Sequence, residues 1–219
     1  MSHLKRLSTP WAGQKKSNKY IAVPRGSHPQ ENSLPLVVVI RDILKFADTA
    51  SEVKKVVFGG KVLVDGRVCR DINRGVGLFD VISFPSSEKA YRIIIKNKPM
   101  VIEIPFSESK VKLCRITNKT VIHGGKLQLN LHDGKNIITD RTDCLSNDSV
   151  LIDLPSQEIK ECIKFGPGCL IMTKRGEIVK IKNIEKCFNK RIILDGEKET
   201  AFRDFIVVGI DKPVIKVNE

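Results

Sequence analysis

Residues 34–70 read LPLVVVIRDILKFADTASEVKKVVFGGKVLVDGRVCR, and this stretch decides the fold. Directly behind Pro35, apolar residues recur at the spacing of one helical face: Val37, Ile40, Leu44 and Ala47. Proline is favoured in the first turn of a helix, where its missing N–H costs nothing. The pattern therefore predicts a first helix that runs to about residue 47.

A second helix and a hairpin follow at once. Asp48 and Thr49 are residues that end one helix and cap the next, and the valines behind them, Val53, Val56 and Val57, give the second helix an apolar face. Two β-rich runs then flank Asp65-Gly66, the strongest short signal for a β-hairpin. Residues 79–84 add a further strand. The stretch predicts a compact unit of two short helices followed by β-structure.

The rest of the chain is typical of β-structure. Short β-rich runs joined by Gly, Asn and Asp predict strands over 91–95, 101–104, 112–116, 126–131, 136–139, 149–154, 168–173, 176–186, 190–194 and 200–208, with turns at Asp133-Gly134 and Asp195-Gly196. We therefore predict an α+β, mostly β chain in four parts. These are an arm over 1–33, an α/β domain over 34–84, a central β domain over 85–165 and a small barrel over 166–219.

Positive charge is concentrated at the amino terminus. The net charge is +13, and residues 1–30 hold six Lys or Arg and no Asp or Glu. Trp11 and Tyr20 lie among these cations, and no apolar period runs through them. Such a segment buries too little apolar surface to fold alone, so we expect it to be extended and to become ordered only on a polyanion. RNA is the polyanion that we favour.

Several classes of protein are disfavoured. No run of about 18 apolar residues predicts a membrane span, and no apolar segment behind Lys5 and Arg6 predicts a signal peptide, so we expect a cytoplasmic protein. The six cysteines contain no Cys-x-x-Cys pair and the four histidines no paired spacing, so we expect reduced thiols and no metal or other cofactor. We find no phosphate-binding Gly-rich loop, no nucleophile elbow and no paired carboxylates in the sequence. We therefore expect neither an enzyme nor a small-molecule substrate.

Short motifs in order along nearly the whole chain resemble one family. The chain is similar to the small-subunit ribosomal protein four family of the archaeal and eukaryotic type in His3-Leu4-Lys5-Arg6-Leu7, Pro10-Trp11, Pro24-Arg25, Leu34-Pro35-Leu36, Leu44-Lys45-Phe46-Ala47, Val64-Asp65-Gly66-Arg67-Val68, Phe79-Asp80-Val81, Lys112-Leu113-Cys114-Arg115-Ile116, His132-Asp133-Gly134-Lys135 and Val207-Val208-Gly209. Each motif is weak alone, and their order and spacing make the set specific.

The resemblance implies a function. Residues 34–84 would be an S4-type RNA-binding domain and residues 166–219 an SH3-like barrel of the KOW kind. The chain would be a non-catalytic constituent of the small ribosomal subunit, in the cytoplasm, with small-subunit rRNA and neighbouring ribosomal proteins as partners. Two alternatives stay open, an S4-domain RNA-modifying enzyme and a free ribosome-associated RNA-binding factor.

The candidate RNA-binding residues lie in three groups. In the arm, cations would neutralise phosphates, and the Trp side chain would stack on a base or pack on a neighbouring protein. The arm residues are Lys5, Arg6, Trp11, Lys15, Lys16, Lys19 and Arg25. In the α/β domain, Arg41 and Lys45 are expected to share one helical face. They would join Lys54, Lys55, Lys61, Arg67 and Arg70 in a surface that either reads RNA by shape or is simply solvated. In the barrel, the candidates are Lys174 and Arg175.

Overall fold

The computed structural model describes residues 4–6, 9, 19–96, 98–140, 142–173, 175–185, 191–194, 199–201 and 205–217. The chain divides into two compact units, residues 1–110 and residues 111–218. Every described element of unit 2 is a strand, and unit 1 combines short helices with strands. The chain is therefore α+β and mostly β, which confirms the predicted fold class. Among the described residues, every helix is too short or too polar to cross a membrane.

Unit 1, residues 1–110, places two short helices beside an antiparallel sheet. Its elements are β1 (Leu4–Lys5), β2 (Tyr20–Ile21), β3 (Leu34–Pro35), α1 (Leu36–Val38), α2 (Ala50–Phe58), β4 (Leu63–Val64), β5 (Arg67–Val68), β6 (Gly75–Val76), β7 (Val81–Phe84), β8 (Lys89–Lys96) and β9 (Lys98–Ile104). The main sheet has the order β5-β4-β7-β8-β9, and β1 pairs with β2 and β3 with β6. Single helical turns cover Gln30–Asn32, Pro85–Ser87 and Phe106–Lys110. The boundary predicted after residue 84 thus falls between the paired strands β7 and β8.

The first helix ends earlier than predicted. α1 continues as a π-helical turn, Val39–Ile43, in which the Leu44 N–H donates to the Val39 carbonyl at 2.9 Å. Lys45 then adopts a left-handed backbone with φ 54°, and the Phe46 N–H donates to the Ile40 carbonyl at 3.0 Å. The widened turn changes the side-chain period, so the 3.6-residue pattern that predicted a helix to residue 47 does not apply here.

The core of unit 1 joins both helices to the sheet. Leu36, Val39, Val53, Val57 and Val62 are fully buried in one cluster. The apolar face predicted for α2 is therefore the face that packs against the core. Burying a side chain of this size contributes about 1.5–3 kcal/mol, and α2 has too few residues to be stable without that packing.

The second half of the arm, residues 20–33, is docked on the rest of unit 1. The Arg25 N–H donates to the Asn73 carbonyl at 2.7 Å, and the Gly75 N–H donates to the Arg25 carbonyl at 2.6 Å. His28 Nε2 lies 2.8 Å from Asp80 Oδ2, and both side chains are buried. The prediction that the arm is ordered only by nucleic acid is therefore wrong for residues 20–33. The chain is extended there, but backbone hydrogen bonds and one buried polar pair hold it.

The described residues of unit 2, residues 111–218, form two antiparallel sheets. Its elements are β10 (Val111–Val121), β11 (Leu127–Leu131), β12 (Asn136–Thr139), β13 (Ser149–Asp153), β14 (Ile159–Ile163), β15 (Leu170–Thr173), β16 (Ile178–Glu185), β17 (Arg191–Leu194), β18 (Glu199–Ala201) and β19 (Phe205–Gly209). The first sheet has the order β12-β11-β10-β13-β14 and the second β18-β17-β16-β15-β19. β14 was not predicted, because Lys160 and Glu161 interrupt its apolar pattern. The predicted turn at Asp133-Gly134 is confirmed, and the one at Asp195-Gly196 lies outside the described residues.

Candidate nucleic-acid interface

A capping box positions α2. The Thr49 hydroxyl oxygen accepts from the Glu52 N–H at 3.3 Å, and the Glu52 carboxylate accepts from the N–H groups of Asp48 at 3.0 Å and Thr49 at 3.4 Å. The bond from the Asp48 N–H, followed by those with Thr49, lowers the pKa of Glu52 below its usual value. The predicted cap is confirmed, and it fixes where α2 begins.

The rotation of α2 then decides what faces the solvent. Val53 and Val57 are fully buried, and the side chains of Lys54, Lys55 and Phe58 are exposed. Residues three and four apart share a helical face, so burying the valines necessarily turns the intervening lysines outward. The helix therefore presents a basic surface.

The β4–β5 hairpin extends that surface. Its loop is Asp65-Gly66, with φ of 50° and 74°, the positive values that a tight two-residue hairpin turn requires. Asp65 is buried, and its Oδ1 accepts from the Val81 N–H at 3.1 Å, which ties the turn to β7. β5 is an edge strand whose residues Arg67 and Val68 are both exposed.

The hairpin lies beside the end of α2. A Cβ built on Gly60, two residues after α2, would be 3.5 Å from a Val68 methyl carbon. Exposed cations lie on α2, in the connection that follows it and on the hairpin with its following loop. We call this set the basic face; it consists of Lys54, Lys55, Lys61, Arg67 and Arg70.

Arg41 and Lys45 do not share a helical face as predicted. Lys45 is exposed but lies past the helix, in the left-handed residue described above. Arg41 is half-buried, and its guanidinium donates to both carboxylate oxygens of Asp42 at 2.7 and 2.9 Å. That hydrogen bond raises the pKa of Arg41. Because a neighbouring carboxylate already neutralises it, Arg41 is a poorer phosphate ligand than the exposed lysines of α2.

The remaining candidates lie apart from the basic face along the chain. Lys5, Lys19 and Arg25 are exposed, and Arg6 is half-buried with its backbone N–H donating to the Lys19 carbonyl at 3.1 Å. Arg175 is exposed in the turn between β15 and β16. Four of the predicted residues lie outside the described residues: Trp11, Lys15, Lys16 and Lys174.

Other cations are structural, and none of them is among the candidate RNA-binding residues. Arg92 is fully buried, with Nη1 2.5 Å from the Glu108 carboxylate. Lys112 Nζ lies 2.8 Å from Asp133 Oδ2, and both side chains are buried. Arg115 donates to the Phe205 carbonyl at 2.9 Å and lies 4.8 Å from the centroid of the Phe205 ring. Strong β-patterning on both sides of each of these residues is the signal that would have placed them inside.

The Asp133 carboxylate is held ionised inside unit 2. Burial alone would raise its pKa, but the Lys112 ammonium, together with His132 and Lys135, lowers the pKa to about 2. The His132-Asp133-Gly134 motif is therefore a turn whose carboxylate forms a buried ion pair. The thiol of Cys162 is also perturbed, since burial and the neighbouring Cys144 raise its pKa to about 12. A thiol in that state is a poor nucleophile.

An open groove of about 610 Å³ lies between the edge strand β12 and the loop that leads into β14. Its lining consists of Asn136, Ile137, Ile138, Thr139, Ser156, Gln157, Glu158 and Ile159. Glu158 is the one ionisable residue among these lining residues. A single exposed carboxylate does not make a general acid–base pair.

Comparison with known proteins gives one consistent result. The S4 domain model matches residues 34–82, which include the whole basic face, and the model of ribosomal family S4e matches residues 87–159. Small ribosomal subunit protein eS4 of Methanocaldococcus jannaschii is 42% identical, over 98% of this chain and 97% of that protein. The eS4 protein of Methanocella arvoryzae is 39% identical over the same shares. The crystal structure of 30S ribosomal protein S4e from Thermoplasma acidophilum superposes with a TM-score of 0.72 at 26% identity, over 81% of this chain and 95% of that one.

Proposed function

The chain belongs to ribosomal family S4e, the family of small ribosomal subunit protein eS4, and from this premise we propose that the basic face is its principal rRNA contact. As a member of that family it is a structural constituent of the small ribosomal subunit, with rRNA and ribosomal proteins as its partners. The family is one of ribosomal structural proteins and not an enzyme family. We extend this to the chain itself, as a non-catalytic protein of cytoplasmic ribosomes.

One observation carries the assignment of the face. Its cations are exposed on adjoining elements of the S4 domain. In contrast, Arg92, Lys112 and Arg115 are buried and bonded to other residues of the same chain. The capped helix already fixes the backbone of an exposed lysine, so contact with a phosphate costs the ordering of the side chain but not of the backbone. The face thus combines positive charge with a fixed spacing.

The mechanism is electrostatic. Each phosphate that the face neutralises releases counterions, so the logarithm of the affinity falls by roughly 0.7–0.9 per contact for each decade of salt. Structured RNA is recognised mainly through its shape and backbone, which is what a rigid set of cations can read. By neutralising phosphates, the chain would hold rRNA segments together that otherwise repel each other.

The arm and the last part of the chain are proposed as secondary contacts. Lys5, Lys19 and Arg25 are supported by their exposure, and Trp11, Lys15, Lys16 and Lys174 by the sequence alone. Arg175 is supported by its exposed place at the tip of the β15–β16 turn. We further propose the division into an arm, an S4-type domain over 34–84, a central domain over 85–165 and a KOW-like domain over 166–219.

Neutralising two lysines of the face tests the proposal. We expect Lys54→Gln with Lys55→Gln to weaken binding of small-subunit rRNA and to reduce the salt slope by roughly 2, about 1 for each lost phosphate contact. Gln has nearly the same helix propensity as Lys, so α2 is retained. Filter binding at several salt concentrations gives both quantities.

The matched control is Lys89→Gln with Lys110→Gln, which removes the same charge from exposed positions of unit 1 outside the face. An equal loss of affinity in both double variants would show that total charge matters and that the face does not. Sedimentation with the small subunit through a salt wash distinguishes a constituent from a transient factor. Altered nucleotides detected by mass spectrometry would instead support an RNA-modifying enzyme.

A further inference from the structure

Phe58 is the most exposed aromatic ring among the described residues, at 55%. It lies at the last position of α2, where Val53 and Val57 already supply the buried side of the helix. Its ring therefore contributes little to the core. A single exposed apolar side chain is ordinary on a protein surface, so exposure alone identifies no function.

The surroundings of Phe58 are what distinguish it. Lys54 Nζ lies 5.5 Å from the centroid of the Phe58 ring. Val68 of the hairpin is 53% exposed. It lies beside Gly60, which is two residues after Phe58 in the chain. Phe58 and Val68 thus form an apolar spot within the basic face, and the surrounding positive charge favours the binding of a polyanion.

Phe46 shows the contrast. It is 48% exposed, but its ring packs edge-on against the rings of Phe84 and Tyr91, with 5.1 and 5.9 Å between ring centroids. Phe46 therefore closes an aromatic cluster of unit 1. Phe58 has no ring partner among the described residues, and its flat surface remains available.

We infer that Phe58 is a stacking platform for an unpaired nucleotide of the RNA that the basic face binds. A base in a duplex hides its faces against its neighbours, so an aromatic ring gains stacking only from a base that has left the stack. Stacking on an aromatic side chain is tolerant of base identity, while adjacent lysines bind the flanking phosphates. The inference rests on the proposed function and adds that the face recognises a single-stranded element and not a duplex alone.

The test compares a short oligoadenylate with a blunt RNA duplex that carries the same number of phosphates. Fluorescence anisotropy with the full chain measures the binding of each RNA by wild type, Phe58→Leu and Phe58→Trp. We expect Phe58→Leu to weaken oligoadenylate binding roughly 5- to 100-fold and to leave duplex binding and the salt slope unchanged. Phe58→Trp should bind oligoadenylate at least as tightly as wild type does.

The control is Phe106→Leu, the same substitution at a 38% exposed ring outside the basic face, which should change neither affinity. Equal oligoadenylate binding by wild type and Phe58→Leu would overturn the inference and leave a neighbouring protein as the occupant of this spot. The proposed function would survive that result if the Lys54 and Lys55 variant still lost duplex binding. Failure of the wild type to bind either RNA would overturn both.

Discussion

At the scale of single residues, burial decides what a charge does. Lys112 and Asp133 are both inside unit 2 with 2.8 Å between Nζ and Oδ2. Lys112→Met would leave a buried carboxylate whose nearest remaining cation is Lys135 Nζ, at 3.7 Å. We expect a loss of about 3 kcal/mol in the free energy of unfolding, the lower end for a broken buried pair, because Lys135 compensates in part. Urea denaturation measures it.

Two variants check that explanation. Adding Asp133→Asn to Lys112→Met removes the stranded charge and retains an acceptor for the Lys135 N–H, so most of the stability should return. Lys160→Met breaks the half-exposed pair with Asp153, 2.6 Å apart, and should cost less than about 1 kcal/mol. If Lys112→Met were as mild as Lys160→Met, the interior pair would contribute no more than a surface one.

The same pair predicts a dependence of stability on pH. The pKa of Asp133 is about 2 in the folded chain, below its ordinary value of 3.8. The folded state therefore favours the ionised carboxylate, and this stabilisation is complete above about pH 4 and is lost as the pH falls towards 2. It amounts to roughly 2 kcal/mol. Urea midpoints measured across that range should fall more steeply for wild type than for the Lys112→Met, Asp133→Asn variant, and parallel curves would contradict the assignment.

At the scale of elements, the sequence predicted those features that depend on contacts between residues close together in the chain. The cap at Thr49 and the turn at Asp65-Gly66 each depend on residues close in sequence, and both were predicted correctly. Pairs far apart were not predicted: His28 and Asp80 are separated by 52 positions, and nothing in either neighbourhood indicates the other. The prediction that Lys45 shares a helical face with Arg41 was wrong for a further reason, because one widened helical turn shifts the side chains that follow it. Each cation of the basic face was among the predicted candidates, but the exposure of the Phe58 ring follows from the burial of Val53 and Val57, which the sequence alone does not show.

At the scale of the whole molecule, the arm shows that a cationic segment can be held by its own protein. His28 packs on Gly77, where a Cβ would overlap its ring, and the Gly77 N–H donates to the same Asp80 oxygen that His28 contacts. Gly77→Ala should therefore displace His28 and loosen the arm in RNA-free protein. We expect trypsin to cleave after Arg25 roughly tenfold faster, which corresponds to about 1.4 kcal/mol and lies within the range for overpacking.

The control is Gly166→Ala, where a Cβ would meet nothing within 4 Å and the backbone is not left-handed. It should leave the cleavage rate unchanged. If wild type and Gly77→Ala were cut after Arg25 at the same rate, the arm would not depend on the His28 contact for its docking. If Gly77→Ala also lowered the affinity for rRNA while the basic face was intact, the docked arm would be part of the binding surface. A loose arm loses conformational entropy when it becomes ordered on the RNA, and this loss lowers the affinity.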